Sequence, residues 1–268
     1  MALWTPSKID TALWLDAADA DTITLNSGSV SQWDDKSENN RHAWQSGSTA
    51  QPFYDDDGFN GLPTLSFDGL NDALMIPDSW GSHTSHSFFA VVSPPNSGDR
   101  KYVFSAGHDV GNNPALLLIA ARNNTEQVGY YDGNSWRGTS AATSGEQILE
   151  WVLDGAASSG KTYRNGDELQ TLTYSVNTLQ NGIAVGARLG SSTQNFFAGL
   201  ISEIVVLPSA ADTNTRQKIE GYLAWKWGLE ANLPAEHPYK AAAPAVETPT
   251  GLIVAFTTAN SITWGWDG

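Results

Sequence analysis

The sequence predicts an all-β fold: a two-sheet antiparallel sandwich of the jelly-roll type, carrying one C-terminal amphipathic helix. Three observations predict it. Short apolar or alternating runs recur along most of the chain, each closed by turn residues. Only one stretch, between Ala211 and Gly228, has a helical period, and it comes late. The chain has 268 residues with 40% hydrophobic content, enough for one large β domain or a domain plus a fragment.

Strand runs are read at residues 12–15, 30–33, 64–67, 73–76, 87–92, 102–105, 115–120, 127–131, 147–153, 161–164, 183–187 and 200–207. The run 87–92 is continuously apolar, which suits a strand buried on both faces. Asp68-Gly69 between 64–67 and 73–76 looks like a hairpin turn, and Asn165-Gly166 is a strong two-residue hairpin signal. Asp132-Gly133-Asn134 predicts a turn into Trp136. The triplet Asp55-Asp56-Asp57 beside Gly58 reads as a loop.

The helix rests on spacing. Ile219, Tyr222, Leu223 and Trp227 share one face of a 3.6-residue period. Arg216, Gln217, Lys218, Glu220 and Lys226 fall elsewhere and are expected in solvent. Asp212 or Thr213 suits the N-cap, Gly228 the left-handed exit, and Pro234 follows.

Composition bounds the partners. Fourteen basic against 29 acidic residues give a formal charge of −15, which offers no field for nucleic acid or an anionic membrane. No apolar run approaches the roughly 18 residues that span a bilayer. Cysteine is absent from the sequence, so disulfides and cysteine-based zinc sites are excluded. No export signal is read at the start, where Pro6, Lys8 and Asp10 interrupt the chain.

Several motifs in order carry a resemblance. They are Leu13-Trp14-Leu15-Asp16-Ala17; Trp33-Asp34-Asp35-Lys36-Ser37 with Asn40 and Ala43; and Leu65-Ser66-Phe67-Asp68-Gly69 with Asp72. Then come Trp151-Val152-Leu153-Asp154-Gly155 and Tyr163-Arg164-Asn165-Gly166. The closing block runs from Phe197 through Glu203 to the helix and His237-Pro238-Tyr239. Over roughly residues 4–243 the chain resembles the laminin-G-like branch of the concanavalin A-like lectin/glucanase superfamily. It is similar in particular to a branch frequent in bacteriophage tail or capsid-surface proteins and large bacterial surface proteins. Residues 244–268 read as a linker and then Pro249-Thr250-Gly251-Leu252 and Ile262-Thr263-Trp264, which resemble the opening strands of a fibronectin type III domain.

The resemblance implies a lectin-like structural or adhesion module. The expectation is a phage virion component (spike, decoration or tail protein), homo-oligomeric, touching virion neighbours and host glycans. The alternative is a carbohydrate-binding module of a bacterial surface protein, and a glycoside hydrolase comes third. Glucanases of the superfamily gather carboxylates as Glu-x-Asp-x-x-Glu on one strand, and the sequence has no such run. Glu150 and Asp154 lie four residues apart on one predicted strand, about 13 Å, too far for glycosidic acid–base work. Glu203 is a lone carboxylate among apolar neighbours. No catalytic residue is therefore assigned.

For glycan binding, the densest cluster of rings and polar partners is Tyr130, Tyr131, Asp132, Asn134, Trp136 and Arg137. The resemblance also implies a Ca²⁺ ion at the sandwich rim. Its candidate ligands are Asp16 with Asp19 and Asp21, Asp68 with Asn71 and Asp72, or Asp34 with Asp35, all of which also suit Asx-turns. The five histidines, His42, His83, His86, His108 and His237, are too scattered to suggest a zinc site.

Overall fold

The computed structural model describes residues 3–77, 84–94, 101–108, 114–121, 127–132, 135–140, 145–175, 182–189 and 195–246. In chain order the strands are β1 (Leu13–Asp16), β2 (Ile23–Asn26), β3 (Ser29–Trp33), β4 (Ala43–Trp44), β5 (Phe53–Phe59), β6 (Leu62–Asp68), β7 (Leu74–Ile76), β8 (His86–Ser93) and β9 (Lys101–His108). They continue as β10 (Pro114–Ala121), β11 (Gln127–Tyr131), β12 (Trp136–Ser140), β13 (Gln147–Asp154), β14 (Ser159–Arg164), β15 (Asp167–Thr173), β16 (Ile183–Val185) and β17 (Ala198–Leu207). The helix α1 is Thr213–Lys226.

All recorded strand pairs are antiparallel, and they form two facing layers. In the first, β17 lies between β8 on one edge and β6 and β1, end to end, on the other; β8 continues through β13 and β14 to β15. The second runs β2-β3-β4-β7-β16-β9-β10-β11-β12. Side chains from both layers interleave in one core that includes Leu15, Trp33, Phe67, Phe88, Phe104, Tyr130, Trp151, Ile183 and Ile204. This is the expected antiparallel sandwich with one helix.

The centre of the first layer is buried on both faces. Its outer side chains, among them Trp14, Phe89, Val91, Ile148 and Val205, pack under Ile219, Leu223, Ala224 and Trp227 of α1. The run 87–92 is accordingly buried throughout, as its unbroken apolarity predicts. Asp212 caps the helix, its carboxylate accepting the Thr215 N–H at 2.7 Å. Gly228 leaves it at φ 67°, as its position predicts. Asn165 and Gly166 hold φ 51° and 85° between β14 and β15, the hairpin turn that the dipeptide signals.

Three expectations change, and one strand was not foreseen. The turn at Asp68-Gly69 is not a hairpin: β6 pairs with β5 and β17, whereas β7 pairs with β4 and β16, so the turn carries the chain between layers. The acidic triplet Asp55-Asp56-Asp57 lies inside β5, where the register slips between Asp55 and Phe59. A bulge of this kind accommodates charges that a regular strand would disfavour. The polar strand β15 shows no apolar alternation in the sequence: among the described residues it pairs only with β14, and none of its residues is fully buried. Finally, Arg216, Glu220 and Lys226 of α1 are not in solvent: the first two are buried and Lys226 is half-buried.

Residues 3–246 reach just past the predicted domain end, and the N-terminal segment closes on that exit. Trp4 N–H donates to the Pro244 carbonyl at 2.9 Å, and Leu3 forms a bridge with Ala245. The fibronectin-like stretch lies outside the described residues.

Candidate functional site

Three buried glutamates sit in two clusters between α1 and the first layer. Glu203 of β17, wholly buried, collects four donors. Its Oε1 accepts Trp14 Nε1–H at 2.7 Å and Tyr222 O–H at 2.9 Å, while Oε2 accepts Lys226 Nζ and Trp227 Nε1–H, each at 2.7 Å. Burial pushes the Glu203 carboxyl up, against the pull of the Lys226 ammonium. Burial and the same carboxylate push the Tyr222 phenol far above its usual range. Lys226 also pairs with Asp16, which pairs with Lys36 at 2.8 Å; Lys36 in turn meets Asp19 at 2.6 Å.

The second cluster joins Glu150 of β13 to Glu220 of α1. Burial, reinforced by the Glu220 charge, drives the Glu150 carboxyl well up. Burial also opposes the Glu220 charge, but hydrogen bonds from His237 and Glu150 and the Arg216 cation hold that carboxyl below its ordinary range. Arg216 ion-pairs with Glu220, His237 Nε2 lies 2.8 Å from the same carboxylate, and Gly166 N–H donates to Glu150 at 3.1 Å. A proton shared between two carboxyls, one neutral and one charged, accounts for both shifts. Asp154 is not part of it; it caps its own turn by accepting Ala156 and Ala157 N–H. All three glutamates are fully buried, so neither cluster presents a carboxylate to a substrate.

The expected ring cluster divides between two faces of the β11–β12 hairpin. Tyr131 pairs with Trp136 across the hairpin, and their rings lie 5.1 Å apart on the outer face beside Tyr102. Tyr130 pairs with Arg137 on the inner side, where Tyr130 fills the core and donates its O–H to the Thr173 carbonyl at 3.1 Å. Asp132 follows Tyr130 inward and is fully buried. It accepts Ser135 N–H at 2.8 Å and Ser175 N–H at 3.0 Å, with Arg137 Nε at 3.5 Å. Strand alternation causes the split: successive side chains alternate faces. Tyr131 and Trp136 thus form the outer ledge, while Asp132 and Arg137 brace the hairpin behind it. Asn134 lies outside the described residues.

The ledge stands at one end of a backbone register row across the second layer: Gln32, Trp44, Met75, Ala184, Ser105, Leu117, Tyr131, Trp136. Trp44, 43% exposed, belongs to this row and was not singled out by sequence. Its strand holds only two residues, too few to show an alternation. Five strand steps place it about 24 Å from Tyr131.

The expected calcium ligands do not gather into a cage. Calcium wants six to eight oxygens, and among the described residues no group of three His, Asp or Glu side chains is arranged to hold a metal ion. Asp16 is neutralised by two lysines and Asp19 by one, while Asp21 is exposed. Asp34 faces Gln32 and His42. Asp35 accepts four donors from its own loop and from β1: Trp14 N–H, Ser37 N–H and O–H, and Arg41 N–H. Asp68 caps the turn at Leu70 and Asn71. Asp72 accepts the Asp68 N–H at 2.8 Å; burial and the Asp68 charge push its carboxyl up to about 6. Partners in β17 for Asp16 and Asp68 are Glu203 and Ala198, five residues or about 16 Å apart, so no ion spans both.

Among the histidines, His86 opens β8, fully buried, and His42 Nδ1 accepts the Asp35 N–H at 3.1 Å. His83 lies outside the described residues, as does the His108 side chain.

One open cleft of about 380 Å³ was not foreseen. It lies where residues 7–11 meet Trp14 and the loop 36–39. Its residues come from three separated segments of mixed polarity, so no periodicity announced it.

No protein-family model and no curated protein matches the chain. Solved structures do. Domain 4 of AbnA, a GH43 extracellular arabinanase from Geobacillus stearothermophilus solved with arabinotriose, superposes with a TM-score of 0.57 and 16% identity, covering 77% of this chain and 96% of that one. The botulinum neurotoxin serotype D binding domain gives 0.52 and 10%, over 79% of this chain and 51% of that chain. Trypanosoma rangeli sialidase in complex with 2,3-difluoro-KDN gives 0.50 and 14%, over 84% and 33%. At these identities the likeness is one of fold.

Proposed function

We propose that this chain is a non-catalytic, carbohydrate-binding sandwich module. The observation that carries the reading is the Tyr131–Trp136 pair, two half-buried rings 5.1 Å apart on the outward face of a hairpin braced from behind. Half-buried rings offer their faces to sugar C–H groups at little entropic cost, since their χ angles are held by packing. The arabinotriose bound to the similar AbnA domain supports the same reading. The burial of Glu150, Glu203 and Glu220 supports the non-catalytic part, because glycoside hydrolysis needs two open carboxyls flanking a sugar bond.

The module acts by display. The sequence resemblance to phage and bacterial surface proteins supports a role on a virion as a spike, decoration or tail protein, or else on a bacterial surface as a binding module. A homo-oligomeric arrangement would multiply a weak contact into a firm one.

Affinity electrophoresis through gels of arabinan, neutral hexose polymers and sialylated glycans tests the binding. Wild type is retarded by at least one polymer, and Trp136→Ala runs free in it. Equal retardation of the two proteins removes the ledge from the account.

A further inference from the structure

We propose that the cleft beside Trp14 is a second binding site and takes an amino sugar, an ammonium carried on a hydroxylated ring. The proposal rests on the glycan-binding reading and deepens it by naming a ligand class. At about 380 Å³ the cleft is within the size range of small-ligand sites, roughly 300–1,000 Å³.

The cleft is rigid before anything enters it. The Asp35 carboxylate holds the 34–41 loop together through three hydrogen bonds from Ser37 and Arg41 and ties it to β1 through the Trp14 N–H, and Lys36 N–H donates to the Trp14 carbonyl at 2.8 Å. Arg41 adds a bond to the Ala12 carbonyl at 2.7 Å. The Trp14 indole is fixed by Glu203 below and by Lys36, whose Nζ sits 4.4 Å from the ring centroid.

Most side-chain donors in the cleft are already engaged. Thr11 O–H donates to the Pro6 carbonyl at 2.7 Å. Asn39 gives its amide hydrogens to the Thr11 carbonyl at 2.9 Å and to Ser37 Oγ at 3.1 Å. Lys36 is consumed by Asp16, Asp19 and the indole. What remains is of the opposite kind. Asp10 and Glu38 are exposed at the cleft, and neither makes a hydrogen bond or ion pair among the described residues. The side-chain oxygen of Asn39 likewise accepts nothing there. A cleft that has acceptors and negative charge to offer selects a ligand that brings donors and positive charge.

The body of the ligand is set by the walls. Ser7, Thr11, Ser37 and Asn39 make them polar, which suits hydroxyls. A bare alkyl chain such as a lysine side chain would find only Ile9 and the indole for apolar contact.

The test is a titration of the ¹⁵N-labelled chain with glucosamine at pH 6.5, beside glucose, N-acetylglucosamine and Nα-acetyl-lysine methylamide, read by two-dimensional NMR. Glucosamine shifts the Trp14 indole and the Ser37 and Asn39 amides saturably, and its affinity falls with added salt. The other three bind at least tenfold more weakly. The variant Asp10→Asn/Glu38→Gln keeps the wild-type melting temperature, because neither side chain has a partner, and loses glucosamine binding at least tenfold. Equal shifts from glucose, equal binding of the lysine derivative, or undiminished binding by the double variant would each overturn the proposal. Trp136→Ala separates the two readings: it leaves glucosamine shifts at Trp14 intact while abolishing retention on polymers.

Discussion

Replacing Glu203 by Gln tests whether the buried acids are structural. The substitution keeps the shape and removes one of two acceptor oxygens. Whichever way the amide turns, one pair of donors then faces an NH₂ group: Trp14 Nε1–H with Tyr222 O–H, or Lys226 with Trp227 Nε1–H. Two hydrogen bonds to a charged acceptor are lost, each about 1.5–3 kcal/mol. Burying a neutral amide costs less than burying a carboxylate, which offsets part of this. Lys226 keeps Asp16 and is not left alone. The net loss is about 3 kcal/mol, and at roughly 2–4 °C per kcal/mol for a chain of this size the midpoint falls by about 6–12 °C. Differential scanning calorimetry at pH 7, with urea unfolding as a check, measures it. A midpoint that is unchanged or raised would refute the reasoning. Such a gain is the signature of removing a strained acid, the behaviour expected of a catalytic group and not of a packing one.

Other consequences follow from single residues. Asp72 has a folded pKa of about 6 against an ordinary 3.8, so its contribution is fully present below pH 4 and is lost as the pH rises through 6. Asp72→Asn should therefore stabilise the fold above pH 6, by at most about 3 kcal/mol, with the gain vanishing near pH 4. Paired melts across that range would show it, and a pH-independent difference would refute it. Gly186 has φ 80°, and an added Cβ would lie 2.3 Å from the Phe67 ring. Gly186→Ala should cost about 2–4 kcal/mol from strain and overpacking together, measured by urea unfolding. A loss within 0.5 kcal/mol, on the order of an ordinary surface change, would contradict the packing described there.

How far the sequence reached can be traced residue by residue. Turn chemistry was local and therefore legible: Asn165-Gly166 and Gly228 occupy the left-handed backbone that their side chains permit. The continuous apolar run 87–92 announced a strand covered on both sides, and the late helix supplied the cover. What failed was long-range. Arg216, Glu220 and Lys226 looked like a solvated face because periodicity ranks side chains by polarity alone. Their partners, Glu150, Asp16 and Glu203, come from strands 23–210 residues away in the chain. Asp68-Gly69 has hairpin chemistry, yet the strands on either side join different layers, a choice made by their other neighbours. The expected ring cluster divides between two faces, because a run of adjacent residues is not a run on one face. The cleft at Trp14 needed three segments to meet and left no trace in any one of them.

The central claim is that this sandwich holds carbohydrate without cutting it. The measurement that tests it most directly exposes wild type to one panel of polysaccharides and follows retention in the gel and release of reducing ends together. Retention by at least one polymer, lost in Trp136→Ala, with no reducing ends released, is the predicted result. Release of reducing ends by wild type, abolished in Glu203→Gln or Glu150→Gln, would contradict it.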